Sequence, residues 1–422
     1  MSIARSPADD HGAGRMAPPP RIDQNPLPMP AEPPPIVSQH SEPRARRRVM
    51  IVAGEASGDL HGADFAAALL RRAPECELFG IAGERMRARR VRALVRMEDI
   101  AGLGLAELSS TIGRTAGAFR MLRKILRGDP PDLLVLIDYA EFNLMLAGVA
   151  RRAGVPVLYY ILPQVWAWRR GRIRKLVRRT RKMAVVFPFE ADLYAQAGGD
   201  VTFVGHPLLD RVAPAQGRAE TLARHGLPAD ARPLALLPGS RRAEVRYLLP
   251  AMLGAARILR ERNGLTPAIA LAPTLDEDDL RALAPPGGLD GMHIIRDDTY
   301  SIIAASELAL VASGTATLET ALLGIPMVIA YKMSSLSYQV ARMLVHGVEF
   351  IGMPNILAGR RIVPELIQRE VTAENLAAAA APMLSEPHRS ETAAALRAVR
   401  ARLGAPGAAD RVAAMALEML GC

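Results

Sequence analysis

Residues 308–319 read Leu-Ala-Leu-Val-Ala-Ser-Gly-Thr-Ala-Thr-Leu-Glu, and this stretch decides which fold we expect. The unbroken apolar run Leu308–Ala312 predicts a strand buried on both faces of a sheet. It stops at Ser313-Gly314-Thr315, where a helical pattern begins, and free N–H groups at a helix start favour an anion. Glu319 lies about one turn further, placed to accept hydrogen bonds from sugar hydroxyls. The stretch indicates a nucleotide diphosphate site, although an ordinary βα turn has the same pattern.

A second turn of this kind follows the apolar strand predicted at Leu234–Leu237. Gly239 and Ser240 offer backbone N–H groups and a hydroxyl, and Arg241 adds a planar cation suited to phosphate. A long helix follows. Two anion-binding turns within one α/β unit favour a diphosphate cradle.

The first strand predicted in the chain, Val49–Ala53, leads into Gly54-Glu55-Ala56-Ser57-Gly58-Asp59 and a helix from about Leu60 to Arg72. This Gly-rich turn is typical of nucleotide-binding folds, but it is not the G-x-G-x-x-G pattern. Its small residues could equally admit an acceptor substrate. The alternative is a tight turn in which Ser57 or Asp59 caps the helix.

The strand predicted at Leu133–Ile137 delivers Asp138 at its C-terminal end. A carboxylate in that position serves as a general base when a substrate hydroxyl comes within hydrogen-bond reach. Asn143 follows at the start of the next helix, and the alternative is that Asp138 or Asn143 only caps this helix.

Two further candidate sites are a tryptophan pair and a histidine. Trp166 and Trp168 precede a run of arginines, and indoles beside cations suit a sugar face, a phosphate or a membrane interface. His206 follows a strand at Val201–Val204 and could bond a substrate, although a lone histidine beside a proline is more often structural.

The alternation of strands and helices predicts the α/β class with parallel sheets covered by helices on both faces. We expect three regions: a disordered, Pro-rich extension at 1–47, a Rossmann-like domain at 48–210 and a second Rossmann-like domain at 211–422. The remaining strands are predicted at Leu78–Ala82, Val155–Ile161, Met183–Phe187, Ala268–Ala272, Met292–Ile295 and Met327–Ala330. The Gly- and Pro-containing stretch 347–365, which includes Asn355, is expected to be an irregular loop.

The segment Thr115–Arg127 is amphipathic at helical spacing, with its basic residues on one face. Such a helix packs on its own sheet or lies at an anionic membrane surface. The basic residues are Arg120, Arg123, Lys124 and Arg127.

Composition narrows the choice of partner. The chain of 422 residues is 50% hydrophobic but 4% aromatic, and its formal charge is +10, so we expect an aliphatic core and an anionic partner. Scarce aromatic residues disfavour a platform on which nucleic-acid bases stack. The two cysteines form no metal or disulfide pattern. No apolar run reaches the roughly 18 residues of a membrane span, and the N-terminus lacks the apolar core of a signal peptide, so we expect a cytoplasmic protein.

Taken together, the motifs resemble the lipid-A-disaccharide synthase family over about 48–420. The resemblance rests on their ordered combination. The motifs are 52–59 (VAGEASGD), Ile137-Asp138, 165–169 (VWAWR), 237–241 (LPGSR), 312–316 (ASGTA) and 354–360 (PNILAGR).

This resemblance implies a GT-B fold, in which two Rossmann-like domains face each other across a cleft. It implies an inverting transfer from UDP-2,3-diacylglucosamine to 2,3-diacylglucosamine 1-phosphate, giving a β-1,6 disaccharide and UDP, with no metal or other cofactor. It also implies peripheral attachment to the anionic cytoplasmic face of the bacterial inner membrane, and it leaves a homo-oligomer open. Asp138 matches the family's candidate base, and Arg241, Glu319 and Asn355 match its UDP contacts.

The turn after Asp138 departs from the family's pattern. The family often has Ile-Asp-x-Pro-Asp-Phe-Asn, whereas this chain has Tyr139-Ala140-Glu141 before Phe142-Asn143 and lacks the proline. A different enzyme acting on UDP-sugars, such as a 2-epimerase, and a basic nucleic-acid-binding protein remain as rival interpretations.

Overall fold

The computed structural model describes residues 46–100, 108–163, 170–334, 338–339 and 349–422. Within these ranges, thirteen strands form two wholly parallel sheets, as the apolar runs predict. The first sheet has the order β3-β2-β1-β4-β5-β6-β7. Its strands are β1 Arg48–Ala53, β2 Glu77–Ala82, β3 Arg92–Arg96, β4 Leu133–Ile137, β5 Val157–Tyr160, β6 Lys182–Val185 and β7 Val201–Phe203.

The second sheet has six strands in the order β10-β9-β8-β11-β12-β13. Its strands are β8 Pro233–Leu237, β9 Thr266–Ala270, β10 His293–Ile295, β11 Leu308–Ala312, β12 Met327–Tyr331 and β13 Glu365–Ile367. In both sheets the strand order reverses beside the first strand. Ligands of open α/β sheets bind at such switch points, which lie between β1 and β4 and between β8 and β11.

Helices connect the strands and cover both faces of each sheet. In chain order they are α1 Ala56–Arg72, α2 Glu84–Arg87, α3 Leu108–Gly128, α4 Ala140–Arg152, α5 Ile173–Arg179, α6 Pro188–Ala195, α7 Arg218–Arg224, α8 Arg242–Asn263, α9 Glu277–Leu283, α10 Thr299–Ala305, α11 Thr315–Leu322, α12 Met353–Ala358, α13 Ala373–Ala380, α14 His388–Arg402 and α15 Ala408–Leu420. Short 3₁₀ helices lie at Met97–Asp99, Arg170–Arg172, Pro207–Asp210, Gln368–Glu370 and Ala381–Leu384.

The central strands show why an aliphatic sequence gives this fold. In β1, Val49 and Ile51 pack in the layer that contains α1 and α15, whereas Met50 and Val52 pack against α3 and α4. Successive side chains of a strand point to opposite faces, so a strand covered by helices on both faces must be apolar throughout. All five residues of β4, β8 and β11 are buried for the same reason.

Two edge strands escaped the sequence analysis. The β3 sequence, Arg-Ala-Leu-Val-Arg, has charged ends and is only partly buried, and β13 is three residues long. Edge strands have one neighbour and are often short and charged, so they lack the continuous apolar run that marks a buried strand.

Two local predictions were wrong. The helix expected from about Leu60 begins at Ala56, so neither Ser57 nor Asp59 caps it. The stretch expected to be an irregular loop contains α12, which begins after Gly352 and ends at Gly359, a left-handed residue with φ of +68°. A proline in the first turn and a glycine just past the last turn are ordinary helix boundaries, which explains why this short helix forms.

The terminal helix α15 packs against α1 of the first sheet, although the sequence analysis grouped it with the second domain. Arg411 Nε donates to the backbone oxygen of Val204 over 2.8 Å, and Lys182 Nζ lies 2.6 Å from a carboxylate oxygen of Glu418. The chain therefore returns to the first sheet after completing the second.

Candidate active site

The turns after β1 and β4 meet at the switch point of the first sheet. The two strands are neighbours in register, with Ala53 opposite Ile137, so Glu55 and Asp138 follow at the same edge. Burial and the negative charge of Glu55 raise the pKa of Asp138 from its ordinary value of 3.8 to about 6. A carboxylate with a pKa near neutrality is suited to accept a proton from a hydroxyl.

The backbone at Asp138 is strained. Asp138 and Tyr139 have φ values of +49° and +48°, a left-handed conformation that costs non-glycine residues about 1–2 kcal/mol each. Asn143 Nδ2 donates to the backbone oxygens of Asp138, at 2.8 Å, and Ile137, at 3.2 Å. The hydroxyl of Tyr159 donates to the same oxygen of Asp138 over 2.8 Å. These bonds hold the backbone of the turn from which the Asp138 side chain projects.

Asn143, predicted to bind substrate, is fully buried, and both hydrogens of its amide nitrogen serve this turn. Its Oδ1 has no hydrogen-bond partner in the described part of the chain. Tyr159 was not recognised from the sequence. The available clue was a tyrosine within a buried strand, because a buried phenol needs a hydrogen-bond partner.

The Gly-rich turn after β1 combines packing with exposed polar groups. A Cβ on Gly54 would lie 2.3 Å from the ring of Tyr139, so only glycine fits beneath this side chain. Glu55 and Ser57 are exposed at the start of α1. Asp59 is buried and accepts backbone hydrogen bonds from Gly83 and the first turn of α2, so it caps a neighbouring helix.

His206 is buried. Its Nδ1 accepts from the backbone nitrogen of Leu208 over 3.2 Å, and its ring centroid lies 5.1 Å from that of Phe187. Burial, with a smaller contribution from His61, lowers the pKa of His206 to about 3. The ring is therefore neutral at physiological pH and holds the turn that begins at Pro207.

In the second sheet, the two predicted anion-binding turns also meet at a switch point. Strands β8 and β11 are hydrogen-bonded neighbours, with Leu237 opposite Val311. The turn 239–241 and the turn 313–315 therefore lie side by side, at the starts of α8 and α11. This adjacency gives one site a pair of helix N-termini, which favours a diphosphate.

The carboxylate of Glu244 contacts the turn after β8. The backbone nitrogen of Ser240 donates to Glu244 Oε2 over 3.2 Å, and Arg241 Nη1 lies 3.6 Å from Glu244 Oε1. Gly239 has a φ of +121°, and a Cβ there would lie 2.7 Å from Glu244 Oε2. The Arg241 side chain is 77% exposed and available to a ligand. Glu244 was not recognised from the sequence, because a carboxylate in the first turn of an amphipathic helix has no distinctive signature.

The turn after β11 is open. A Cβ on Gly314 would meet no atom within 4 Å in the described structure, and both Gly314 and Thr315 are exposed. Ser313 Oγ donates to the backbone oxygen of Ile351 over 3.2 Å. Glu319 is half-buried, and burial raises the pKa of its carboxyl group.

Asn355 holds together the loop that lies beside this turn. Its amide nitrogen donates to Val363 O, at 2.9 Å, and Glu365 Oε1, at 2.8 Å. Its Oδ1 accepts from the backbone nitrogens of Ile362, at 2.7 Å, and Val363, at 3.1 Å. The side chain is fully buried and uses both of its donors internally, so in this conformation it shapes the loop beside Ser313.

The predicted aromatic contact, Trp166, lies outside the described residues. Within the described ranges, no group of three or more His, Cys, Asp or Glu side chains converges as a metal site, and no helix is long and apolar enough to cross a membrane.

A family model described as lipid-A-disaccharide synthetase matches residues 49–418. The chain belongs to this family. The lipid-A-disaccharide synthase of Geobacter metallireducens is 48% identical over 377 residues, which cover 89% of this chain and 98% of the relative. The enzyme of the same name from Myxococcus xanthus is 40% identical and covers 88% and 97% of the two chains. The resemblance inferred from the motifs is confirmed.

Membership of the lipid-A-disaccharide synthase family makes this chain a glycosyltransferase of lipid A biosynthesis. Solved structures support the GT-B fold. A co-structure of S. aureus MnaA with UDP has a TM-score of 0.60 at 12% identity and covers 89% of this chain and 97% of that chain. The glycosyltransferase of kitacinnamycin has a TM-score of 0.58 at 14% identity and covers 89% and 100%.

Proposed function

We propose that the enzyme transfers 2,3-diacylglucosamine from its UDP derivative to 2,3-diacylglucosamine 1-phosphate, with inversion, to give the β-1,6-linked disaccharide 1-phosphate and UDP. The observation that carries this proposal is Asp138, a half-buried carboxylate with a pKa of about 6 at a sheet switch point. The first sheet would receive the acceptor and the second the UDP-sugar.

In the proposed step, Asp138 removes the proton from the acceptor hydroxyl as its oxygen attacks the anomeric carbon. The bond from that carbon to the diphosphate oxygen breaks, and UDP leaves from the opposite face. A single displacement of this kind inverts the anomeric configuration. Glu55 favours the reaction because its charge raises the pKa of the base and so strengthens its affinity for the proton.

Negative charge builds on the diphosphate as UDP leaves. Backbone N–H groups at the starts of α8 and α11, together with the exposed cation of Arg241, would stabilise this charge more in the transition state than in the ground state. Ser240, Ser313 and Thr315 offer hydroxyl groups at the same turns.

We propose that α3 attaches the enzyme to an anionic membrane surface, where the acylated substrates would be met. Ala118, Leu122 and Leu126 are buried, so one face of the helix packs inward, which was one of the two expectations for this segment. Four basic residues on its other face are exposed, and Met121 between them is 46% exposed. Each basic residue near an anionic surface contributes about 1 kcal/mol, enough together for reversible attachment.

The catalytic proposal is tested with purified enzyme and both lipid substrates, by following UDP release and disaccharide formation together. Equal amounts of the two products are expected, with no turnover of the donor alone. Turnover of the donor without acceptor would indicate an epimerase and contradict the transfer proposal.

Attachment is tested by flotation with anionic and neutral vesicles. Changing the four basic residues of α3 to Gln should abolish flotation on anionic vesicles, and high salt should weaken that of the unaltered enzyme. The matched control changes four exposed arginines outside α3 to Gln. They are Arg89, Arg262, Arg369 and Arg397. Equal flotation of the α3 variant and the unaltered enzyme would refute the role of this helix.

A further inference from the structure

Glu319 shares a hydrogen bond with a tyrosine from another helix. Tyr300 lies in the first turn of α10, and its hydroxyl donates to Glu319 Oε1 over 2.9 Å. Both side chains are partly buried, and the ring of Tyr300 packs against the apolar cluster that contains Leu318 and Leu322 of α11. The bond therefore joins two elements that each pack firmly.

The start of α10 is held in place by the segment that leads into the second sheet. Asp298, the residue before α10, accepts from Gln216 Nε2 over 3.0 Å and lies 2.8 Å from His225 Nε2. The backbone nitrogen of Ala215 bonds to Ser301 Oγ over 3.1 Å. These contacts fix the residues on both sides of Tyr300, so its hydroxyl is presented from a defined position.

We infer that Tyr300 is a positioning residue for nucleotide binding: its hydroxyl occupies one oxygen of Glu319 and directs the other towards the vicinal hydroxyls of the ribose. This inference rests on the proposed function, in which Glu319 contacts the nucleotide. An ionised carboxylate has about four acceptor positions, so a single donor from Tyr300 leaves enough for a diol.

The electrostatics of the pair agree with this role. Burial raises the pKa of Glu319, and the bond from Tyr300 opposes that rise. Burial and the nearby charge of Glu319 raise the pKa of Tyr300, while Arg211, which pairs with Asp64 at 2.9 Å, lowers it. Tyr300 thus remains a donor at neutral pH and helps to keep Glu319 ionised, the form that accepts from two hydroxyls.

The test is UDP binding by calorimetry between pH 5.5 and 8.5, with Tyr300→Phe. Losing the donor that orients the Glu319 carboxylate should weaken UDP binding roughly tenfold at pH 8, because a misdirected carboxylate loses about one charge-assisted hydrogen bond to the ribose. The pH below which binding falls should also rise, because Glu319 loses the donor that stabilises its charge. With the UDP-sugar, KM should rise more than kcat falls.

Two variants separate positioning from a loss of folding. Tyr194→Phe removes a buried hydroxyl that has no hydrogen-bond partner in the described part of the chain, and it should leave UDP binding unchanged. In a Glu319→Gln background, Tyr300→Phe should no longer move the pH profile. If the unaltered enzyme binds UDP and Tyr300→Phe changes neither the affinity nor the pH profile, the inference is overturned. If the unaltered enzyme fails to bind UDP, both the proposed function and the inference about Tyr300 are overturned.

Discussion

Replacing Asp138 by Asn should make the enzyme inactive and, at neutral pH, more stable. Asparagine keeps the shape of the side chain and tolerates the left-handed backbone at this position, where φ is +49°. It cannot accept a proton, so turnover should fall roughly a hundredfold or more. It also removes the cost of holding a charge in a partly buried site.

That cost follows from the pKa. Asp138 is raised from 3.8 to about 6 by burial and by Glu55, a shift of about two units. Each unit corresponds to about 1.4 kcal/mol, so the ionised carboxylate destabilises the fold by up to about 3 kcal/mol. After allowance for partial solvent access, we expect a gain of about 1–2 kcal/mol in the variant.

The gain should depend on pH in a defined direction. Between pH 4 and 6 the native state holds a proton at Asp138 that the unfolded state has lost, so the stability of the unaltered enzyme falls as the pH rises. The difference between the two proteins should therefore be near zero below about pH 4 and complete above about pH 6. The catalytic rate of the unaltered enzyme should rise with the ionised fraction of Asp138, with a midpoint near pH 6.

Urea unfolding at pH 4 and at pH 8 measures the free energy, and disaccharide formation measures turnover. Asp230→Asn is the control, because Asp230 is an exposed carboxylate and its replacement should change neither quantity. Near-normal turnover of Asp138→Asn would refute the role of general base. Equal stability of Asp138→Asn and the unaltered enzyme at pH 8 would refute the electrostatic account of the site.

Three further predictions concern the nucleotide site. Glu244→Gln should tighten UDP binding about fivefold by calorimetry, because a carboxylate beside the turn repels the diphosphate by about 1 kcal/mol. The control is Glu261→Gln, at the far end of the same helix. Weaker UDP binding by Glu244→Gln would contradict this account. Arg241→Ala should weaken UDP binding by about 1.5–3 kcal/mol and slow transfer, and unchanged affinity with unchanged turnover would remove Arg241 from the site. EDTA should not inhibit transfer, and a loss of activity that Mg²⁺ or Mn²⁺ restores would contradict a metal-free mechanism.

The sequence was sufficient to predict the sheets and the ends of their central strands. Runs such as Leu308–Ala312 are apolar on both faces, as a strand covered by helices on both sides requires. The carboxyl ends of parallel strands lie at one edge of a sheet. The residues that follow each apolar run therefore identified the candidate site. Asp138 and Glu55 follow neighbouring strands and lie at the same sheet edge, and the turns after β8 and β11 are neighbours for the same reason.

The sequence could not show what each polar side chain does once the chain is folded. Asn143 and Asn355 were predicted to contact ligands. In the structure their amide groups form hydrogen bonds with nearby backbone atoms. Tyr300 and Glu244 were not singled out, because their significance depends on the residue that each one faces. Such pairings are set by tertiary packing, which periodicity and spacing do not report.

The turn after Asp138 is held by tertiary contacts although the proline of the family pattern is missing. The family's proline would restrict the backbone at the start of the helix, and this chain has Ala140 as the first residue of α4. Asn143, which the family pattern shares, and Tyr159 donate three hydrogen bonds to the backbone of the turn, each contributing about 1 kcal/mol. Their sum is comparable with the cost of two consecutive left-handed residues. Glu141, at the position of a family aspartate, pairs with Arg172 and ties the turn to the segment after β5. The base is therefore held by contacts across the sheet edge, which explains why the altered turn still presents Asp138.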